Sequence, residues 1–269
     1  MYPQFFNFTD KMSFFQLVLF FLACFIVYIV CGILIMEKVW PPKDREEFND
    51  VVSGFSVVLG IIFAVIVGSV IVAAWQYQDD ADNVSSQEAD SVGDLFQMAP
   101  NTGMMDSPRL RTLLVEYSRN VIDVEWPLMR KSIKPTSGWN YLIDIQKLIT
   151  NCKPKSLQDD ILVNNIQQKY TQLLDARRRR IAASLNNIPF VIYILIFFIS
   201  AFLIFFTFFF GLDKWTHMLF CFCLSVLISL SIVVIIALDC PFRTQIRIDP
   251  IEMQRVNKLI VGFYGNERA

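Results

Sequence analysis

Charged residues and histidine are scarce in this sequence. Asp, Glu, Lys and Arg make up 18% of the 269 residues, whereas soluble globular chains carry about 25%. The single histidine, His217, and six cysteines without a CxxC pair provide no ligand set with the spacing of a zinc site. We therefore expect no metal and no cofactor, and we expect most cysteines to be small buried side chains.

Motifs of known enzyme classes are also missing. The chain contains no GxSxG, no P-loop, no HExxH and no glycine-rich dinucleotide turn. Acidic residues cluster between Asp79 and Asp90, but a cluster on an exposed helix is normally a solvated face. The sequence therefore predicts neither an enzyme nor a nucleic-acid-binding protein.

Apolar residues, by contrast, are abundant and form long runs without charge. A helix needs about 20 such residues to cross the hydrocarbon core of a bilayer. Four runs reach this length and predict membrane spans at residues 13–36, 51–75, 188–211 and 215–238. The first run is too long for the apolar region of a signal peptide, and no small-residue cleavage site flanks it. We expect an integral membrane protein.

The segment 76–185 is polar, but apolar residues recur in it at helical spacing. This pattern predicts helices at 76–98, 107–132 with a kink at Pro127, 138–151 and 156–185. The expected fold is therefore an all-α membrane protein with four transmembrane helices and a cytoplasmic helical bundle between spans 2 and 3. Residues 239–269 form a cytoplasmic tail, and the sequence leaves open whether its stretch 250–263 lies on the membrane or packs on the bundle.

Lys and Arg near the membrane ends indicate the orientation. The run Arg177–Arg180 precedes the third span, and Arg243 and Arg247 follow the fourth. The loop 37–50 also carries bases, but five acids accompany them, and four adjacent arginines are hard to translocate. We predict an inner or plasma membrane protein with both termini and residues 76–185 in the cytoplasm. Four successive arginines also cover every side of a helix, so they are not expected to serve one face.

Two stripes with a spacing of four residues run along the second span. Small residues form the first stripe: Ser56, Gly60, Ala64 and Gly68. Apolar residues form the second stripe: Phe55, Leu59, Phe63 and Val67. Small residues allow helices to approach closely in lipid, which predicts a helix-packing face. The apolar stripe is compatible with plain packing or lipid contact, and also with a hydrophobic constriction that gates a pore by dewetting.

Glu88 lies 25 positions past Phe63, which is about seven helical turns, so both fall near the same helix face. If Phe63 faces a pore, Glu88 lies in its cytoplasmic vestibule and favours cations. The alternative is a polar contact between helices of the bundle. The run Arg177–Arg180 likewise has several interpretations: contact with anionic headgroups, an anion funnel, or ion pairs with the acids at 79–90.

Four short motifs follow one another in a specific order. They are Tyr77-Ala81-Glu88-Ala89, Tyr117 with Glu125–Trp126, Asp175-Arg177-Arg180, and Asp239-Pro241-Phe242. In this order, across roughly residues 50–250, the chain resembles the bestrophin-like family, which is distantly related to bestrophins. Bestrophins are four-span homopentameric anion channels whose second span lines the pore.

The resemblance implies an all-α channel of five copies, with Phe55, Leu59 and Phe63 as the pore gate and with membrane lipid and permeant ions as further partners. Replacing Phe63 with Ala is then expected to raise conductance. The acidic run that follows the corresponding Pro-Phe in animal bestrophins is absent here, which argues against calcium gating. Two alternatives stay open: a cation-selective channel, and a non-conducting membrane scaffold or sensor whose bundle binds a partner.

Overall fold

The computed structural model describes residues 12–99, 105–185 and 187–266, with side chains up to residue 263. Within these ranges all regular structure is helical and no strand occurs. Four helices in the same ranges are long and apolar enough to cross a membrane. The predicted all-α class with four spans is therefore confirmed.

In chain order the α-helices are α1 (Phe14–Val39), α2 (Pro42–Arg45), α3 (Asn49–Met98), α4 (Ser107–Asn120), α5 (Trp126–Arg130), α6 (Gly138–Thr150), α7 (Leu157–Leu185), α8 (Phe190–Thr207), α9 (Lys214–Leu238) and α10 (Ile251–Asn266). A short 3₁₀ turn, Glu46–Phe48, links α2 to α3, and a π-helical turn, Val121–Glu125, links α4 to α5. The second span and the first polar helix are thus one helix of 50 residues.

The chain divides into two compact units. The span unit comprises Met1–Gln76, Asn187–Asp239 and Thr244–Ile246, and the polar unit comprises Tyr77–Asn186, Cys240–Arg243 and Arg247–Ala269. Each unit has its own apolar core.

In the span unit, α1 buries one stripe of apolar residues against α9. The stripe consists of Leu17, Phe21, Phe25, Ile29 and Ile33. Side chains four positions apart lie on one face of a helix, so a single ridge makes this contact. Local signals set the helix starts: the Ser13 hydroxyl and Gln16 side chain form a capping box at α1, and Asp213 caps α9 by accepting from Thr216 N at 3.1 Å.

In the polar unit, α4, α6, α7 and the second half of α3 share one apolar core, in which α6 packs on α4 and on α7. Fully buried members of this core are Ala89, Val92, Leu95, Leu110, Leu114, Leu142, Ile145, Ile166 and Leu173. Helix α10 packs on α4 through Met253 and Ile260, and the Ser118 hydroxyl bonds Asn257 Oδ1 at 2.9 Å. The stretch whose position the sequence left open therefore packs on the polar unit.

The return to the third span is not one helix. Helix α7 ends at Leu185 and α8 begins at Phe190, with Pro189 as its N-cap residue. Proline has no backbone N–H and disfavours helical geometry in the residue before it, which stops α7 from running on.

Candidate functional site

Two acids and two bases are fully buried together in the polar unit. Glu88 lies on α3, Glu125 ends the π-helical turn, and Arg177 and Arg180 lie on α7. Buried charges are rare unless they are paired, and here the formal charges balance. We call these four side chains, with Tyr117, the buried ion-pair network.

Arg180 joins both carboxylates. Its Nε donates to Glu88 Oε2 at 2.5 Å and its Nη2 to Glu88 Oε1 at 3.0 Å. The same Nη2 donates to Glu125 Oε2 at 2.6 Å. This two-point contact with Glu88 uses the planar fork of the guanidinium, which lysine cannot reproduce.

Further donors complete the hydrogen bonding of the two carboxylates. Arg177 Nη2 and the backbone N–H of Gly138 donate to Glu125 Oε1 at 2.6 and 3.1 Å. The Tyr117 hydroxyl donates to Glu88 Oε1 at 2.6 Å. Each buried carboxylate is therefore held by at least three hydrogen bonds, which offset much of the cost of removing it from water.

Aromatic rings cover the two guanidinium groups. Arg177 lies 5.1 Å from the centre of the Trp139 ring, and Arg180 lies 5.2 Å from that of Trp126. Phe242 packs edge-on against Trp126 with ring centres 5.4 Å apart. These cation–π contacts favour the charged form of both buried guanidinium groups.

Helix geometry selects which arginines enter the network. Arg177 and Arg180 are three positions apart and face inward, while Arg178 and Arg179 are exposed. This confirms that the four arginines do not serve one face. Among the interpretations of the run, an ion pair with an acid at 79–90 holds for Arg180 and Glu88.

The π-helical turn positions Glu125 in the buried ion-pair network. Pro127 has no N–H and makes no α-helical bond to Asp123, and the N–H of Trp126 donates instead to Val121 O, five residues back. The extra residue in this turn rotates the chain after Val121, and such turns are frequent at functional sites. The predicted kink at Pro127 is thus a widened turn.

The charges within the network set its protonation. Burial alone raises the pKa of the Glu125 carboxyl, but Arg180 and Arg177 outweigh burial and leave this pKa below its ordinary value. Burial and Glu88 raise the pKa of the Tyr117 hydroxyl, so it keeps its proton and donates it. Burial lowers the pKa of Arg180, but Glu88 and Glu125 outweigh it and raise the net value. The Glu125 carboxylate and the Arg180 guanidinium are therefore both charged at neutral pH.

Gly138 gives the network its closest backbone approach. A Cβ at this position would lie 2.5 Å from Glu125 Oε1 and 3.1 Å from Arg177 Nε, and neither group is free to move. We expect Gly138→Ala to lower the free energy of unfolding by about 1–3 kcal/mol, as overpacking does. Thermal or denaturant unfolding of the full chain measures this.

A matched control is Gly93→Ala in α3. There the nearest atom to a new Cβ is Val256 Cγ1 at 3.6 Å, an ordinary contact. Alanine favours a helix over glycine. The free energy of unfolding of this variant should therefore equal that of the unaltered protein or exceed it by up to about 1 kcal/mol. Equal stability of the two variants would contradict the tight fit at Gly138.

The network explains most of the motif residues and corrects one prediction. Glu88 is fully buried and its carboxylate is bonded to Tyr117 and Arg180, so its charge does not face a water-filled vestibule. The alternative interpretation, a polar contact between helices of the bundle, agrees with the position of Glu88. Gly138 and Trp139 belong to the site but carried no signal in the sequence.

The apolar stripe of the second span packs partly within its own chain. Leu59 and Phe63 are half-buried and pack against the apolar core of the span unit. Phe55 is 58% exposed, and its ring stacks on Phe206 with centres 5.9 Å apart. Packing within the chain therefore describes the buried part of Leu59 and Phe63, and the assignment of this stripe to a pore stays a prediction.

The opposite face of the second span is uncovered. Its exposed apolar residues are Val57, Val58, Ile61, Ile62, Val65 and Val72. Of the predicted helix-packing residues, Ala64 and Gly68 are exposed and Ser56 and Gly60 are half-buried, and a Cβ at Gly60 or Gly68 would meet nothing within 4 Å. Only 11% of the apolar window of this span is buried, against 44% for α9.

Comparison with known proteins identifies relatives. The bestrophin-like domain matches residues 23–253 of this chain. A bacterial bestrophin homologue from Klebsiella pneumoniae has a similar solved structure, with a TM-score of 0.67, 14% identity, and coverage of 92% of this chain and 98% of that chain. A single-residue variant of it gives a TM-score of 0.68 at 13% identity, covering 91% and 99%. At this identity the likeness concerns the fold alone, and the curated proteins contain no match.

Proposed function

Because the chain belongs to the bestrophin-like family, we propose that this integral membrane protein forms a homo-oligomeric channel that conducts ions passively. The second span, at the start of α3, lines the axis in every copy. Five copies surround the axis, as the resemblance to bestrophins implies, and lipid covers the outer faces of the other spans. Both termini and the polar unit lie in the cytoplasm.

The uncovered face of the second span carries this proposal. Of the four spans it has the least buried window within its own chain, at 11%, and it bears no charge over residues 51–75. Open space at Gly60 and Gly68 lets another helix approach closely. A second copy of the same helix fits this face, and copies repeated around an axis enclose a path.

The pore constriction is formed by Val58, Ile61 and Val65 rather than by the stripe of Phe63. At about 100° per residue these three positions fall within about 60° of one another, on the side of the helix opposite Phe63. All three are exposed in the single chain. Rings of such side chains gate ion flow by excluding water.

Selectivity has two candidates. The resemblance to bestrophins favours anions. Exposed aspartates directly after the span, at positions 79, 80 and 82, favour cations by raising their local concentration. Flux through the purified protein in vesicles, with anion and cation gradients set separately, tests conduction and selectivity together. Absence of flux under both gradients would favour the scaffold alternative.

Oligomer formation depends on the small residues in this proposal. Gly68→Leu adds a side chain into open space, so it should not disturb the fold of one chain. It should block the close approach of a neighbouring copy and shift the purified protein toward monomers. Native mass spectrometry or light scattering in detergent measures the mass.

Ala23→Leu is the control, because Ala23 is also a small exposed residue of a span but lies on α1. The assembly formed by this variant should have the same mass as that of the unaltered protein. If Gly68→Leu keeps that mass as well, this face is not the interface, and an unaltered protein that is monomeric would contradict the channel.

A further inference from the structure

The chain leaves the fourth span through a short turn that stays at the end of that span. Helix α9 has 25 residues, which is about 37 Å, and the hydrocarbon core of a bilayer is about 30 Å thick. Its last turn at Leu238 therefore reaches the headgroup region. The Thr244 hydroxyl donates to Ala237 O at 2.7 Å, which holds the chain there. Arg243, the residue before Thr244, thus lies at headgroup depth.

Arg243 is bonded to a loop of the polar unit. Its Nη1 donates to the Ser132 hydroxyl oxygen at 3.1 Å. Ser132 has a φ of 55°, a conformation that residues other than glycine rarely adopt. The backbone N–H groups of Ser132 and Ile133 donate to Met129 O and Leu128 O at 2.9 and 3.0 Å, which closes α5 as a Schellman motif. The loop therefore has a defined shape and a defined link to the end of the fourth span.

This loop carries positive charge around one apolar side chain. Lys131 and Lys134 are exposed, and among the described residues no carboxylate lies within 4.0 Å of either amino group. Between them Ile133 is 50% exposed. Two free ammonium groups beside an exposed isoleucine are typical of a segment that rests on a membrane surface.

The neighbouring guanidinium groups add to the charge. Arg130, at the end of α5, lies 2.5 Å from Asp249, and Arg247 lies 3.5 Å from the same carboxylate. One acid is thus shared by two bases, so this pair of contacts leaves a net positive charge next to Lys131.

We infer that the surface formed by residues 130–134 and Arg243 binds the headgroups of anionic phospholipids, with Ile133 inserted at the boundary between headgroups and acyl chains. Attraction between bases and anionic lipids falls off within a Debye length, and the link through Arg243 keeps the two lysines inside that range. Insertion of Ile133 adds the burial of apolar surface. This binding does not depend on conduction, and it uses arginines and lysines outside the buried ion-pair network.

Thermal unfolding of the purified full chain in zwitterionic detergent with added phospholipid tests the inference. Phosphatidylglycerol replaces phosphatidylcholine while the total lipid stays constant. We expect a saturable rise in Tm with the fraction of phosphatidylglycerol, because the headgroup binds the folded state, and the midpoint of the rise measures Kd. Absence of a saturable rise overturns the inference. An equal rise with soluble glycerol phosphate in phosphatidylcholine also overturns it, since the ligand would then be a free phosphate.

The double variant Lys131→Gln with Lys134→Gln should weaken binding of phosphatidylglycerol about 25-fold, which is about fivefold for each lysine near the surface. Both side chains are exposed, so the fold should be unaffected. The matched control is Lys153→Gln with Lys155→Gln, which removes two exposed lysines from another loop of the polar unit. These precede α7, whose 29 residues run for about 43 Å towards the third span. The control should keep the full response, and equal losses in the two double variants overturn the inference.

Ile133→Ser separates insertion from charge. It keeps both lysines and removes the apolar side chain, so it should weaken binding of phosphatidylglycerol about fivefold. An affinity equal to that of the unaltered protein would overturn the insertion of Ile133.

Discussion

Arg180→Met is expected to destabilise the polar unit by about 3–5 kcal/mol, because it leaves two buried carboxylates short of a counterion. Arg180 contributes two hydrogen bonds to Glu88 and one to Glu125, and all three are shielded from water. A typical domain is stable by about 5–15 kcal/mol, so this loss is large enough to prevent folding at elevated temperature. Thermal unfolding followed by tryptophan fluorescence is suitable, since Trp126 covers this guanidinium.

Arg178→Met is the matched control within the same run of arginines. Arg178 is exposed and lies 3.7 Å from Asp175, a pair that contributes little in water. Its replacement should change stability by no more than about 0.5 kcal/mol. Equal losses in the two variants would mean that the network does not stabilise the unit.

A double variant separates the charge from the loss of contacts. Replacing Glu88 and Arg180 together with Met leaves Glu125 paired with Arg177, so the buried charge is again balanced. The double variant should therefore be more stable than Arg180→Met alone, although Tyr117 loses its acceptor. If it is the less stable of the two, uncompensated charge is not the cause.

The sequence predicted the features that depend on local composition. Apolar runs of sufficient length identified four spans, and the ordered motifs contained Glu88, Tyr117, Glu125 and the inward arginines before their meeting point was known. The motif Asp175-Arg177-Arg180 also contained the two arginines that the structure buries. The spans follow from the cost of charge in lipid, whereas the motif residues follow from the resemblance to the bestrophin-like family.

The direction of each helix face could not be predicted in the same way. Spacing groups Leu59 and Phe63 on one face, but both sides of the second span are apolar because one side meets the protein and the other meets lipid or another copy. Because both faces are apolar, no difference in polarity shows which face of the helix points into the protein. For Glu88 the sequence indicated no single partner, because Arg180 lies 92 residues away and only the fold brings the two side chains together.

Val65→Ser is expected to raise ion flux on the order of tenfold in vesicles, since that factor corresponds to about 1.4 kcal/mol of barrier. Val65 lies on the uncovered face, where a ring of hydroxyls would hold water in an otherwise apolar constriction. Because the residue touches little within its own chain, the substitution should leave folding unchanged. Flux is measured per folded oligomer, with the mass of the assembly verified for each variant.

Val27→Ser provides the comparison, because Val27 on α1 is 63% exposed and Val65 is 62% exposed, so the two differ in position and not in burial. Flux through Val27→Ser should equal that of the unaltered protein. Phe63→Ala, which removes a ring packed on the span unit core, should lower stability and leave flux per folded oligomer unchanged. An increase with Phe63→Ala and none with Val65→Ser would instead place the stripe of Phe55, Leu59 and Phe63 on the axis, and would require the second span to turn in the assembly.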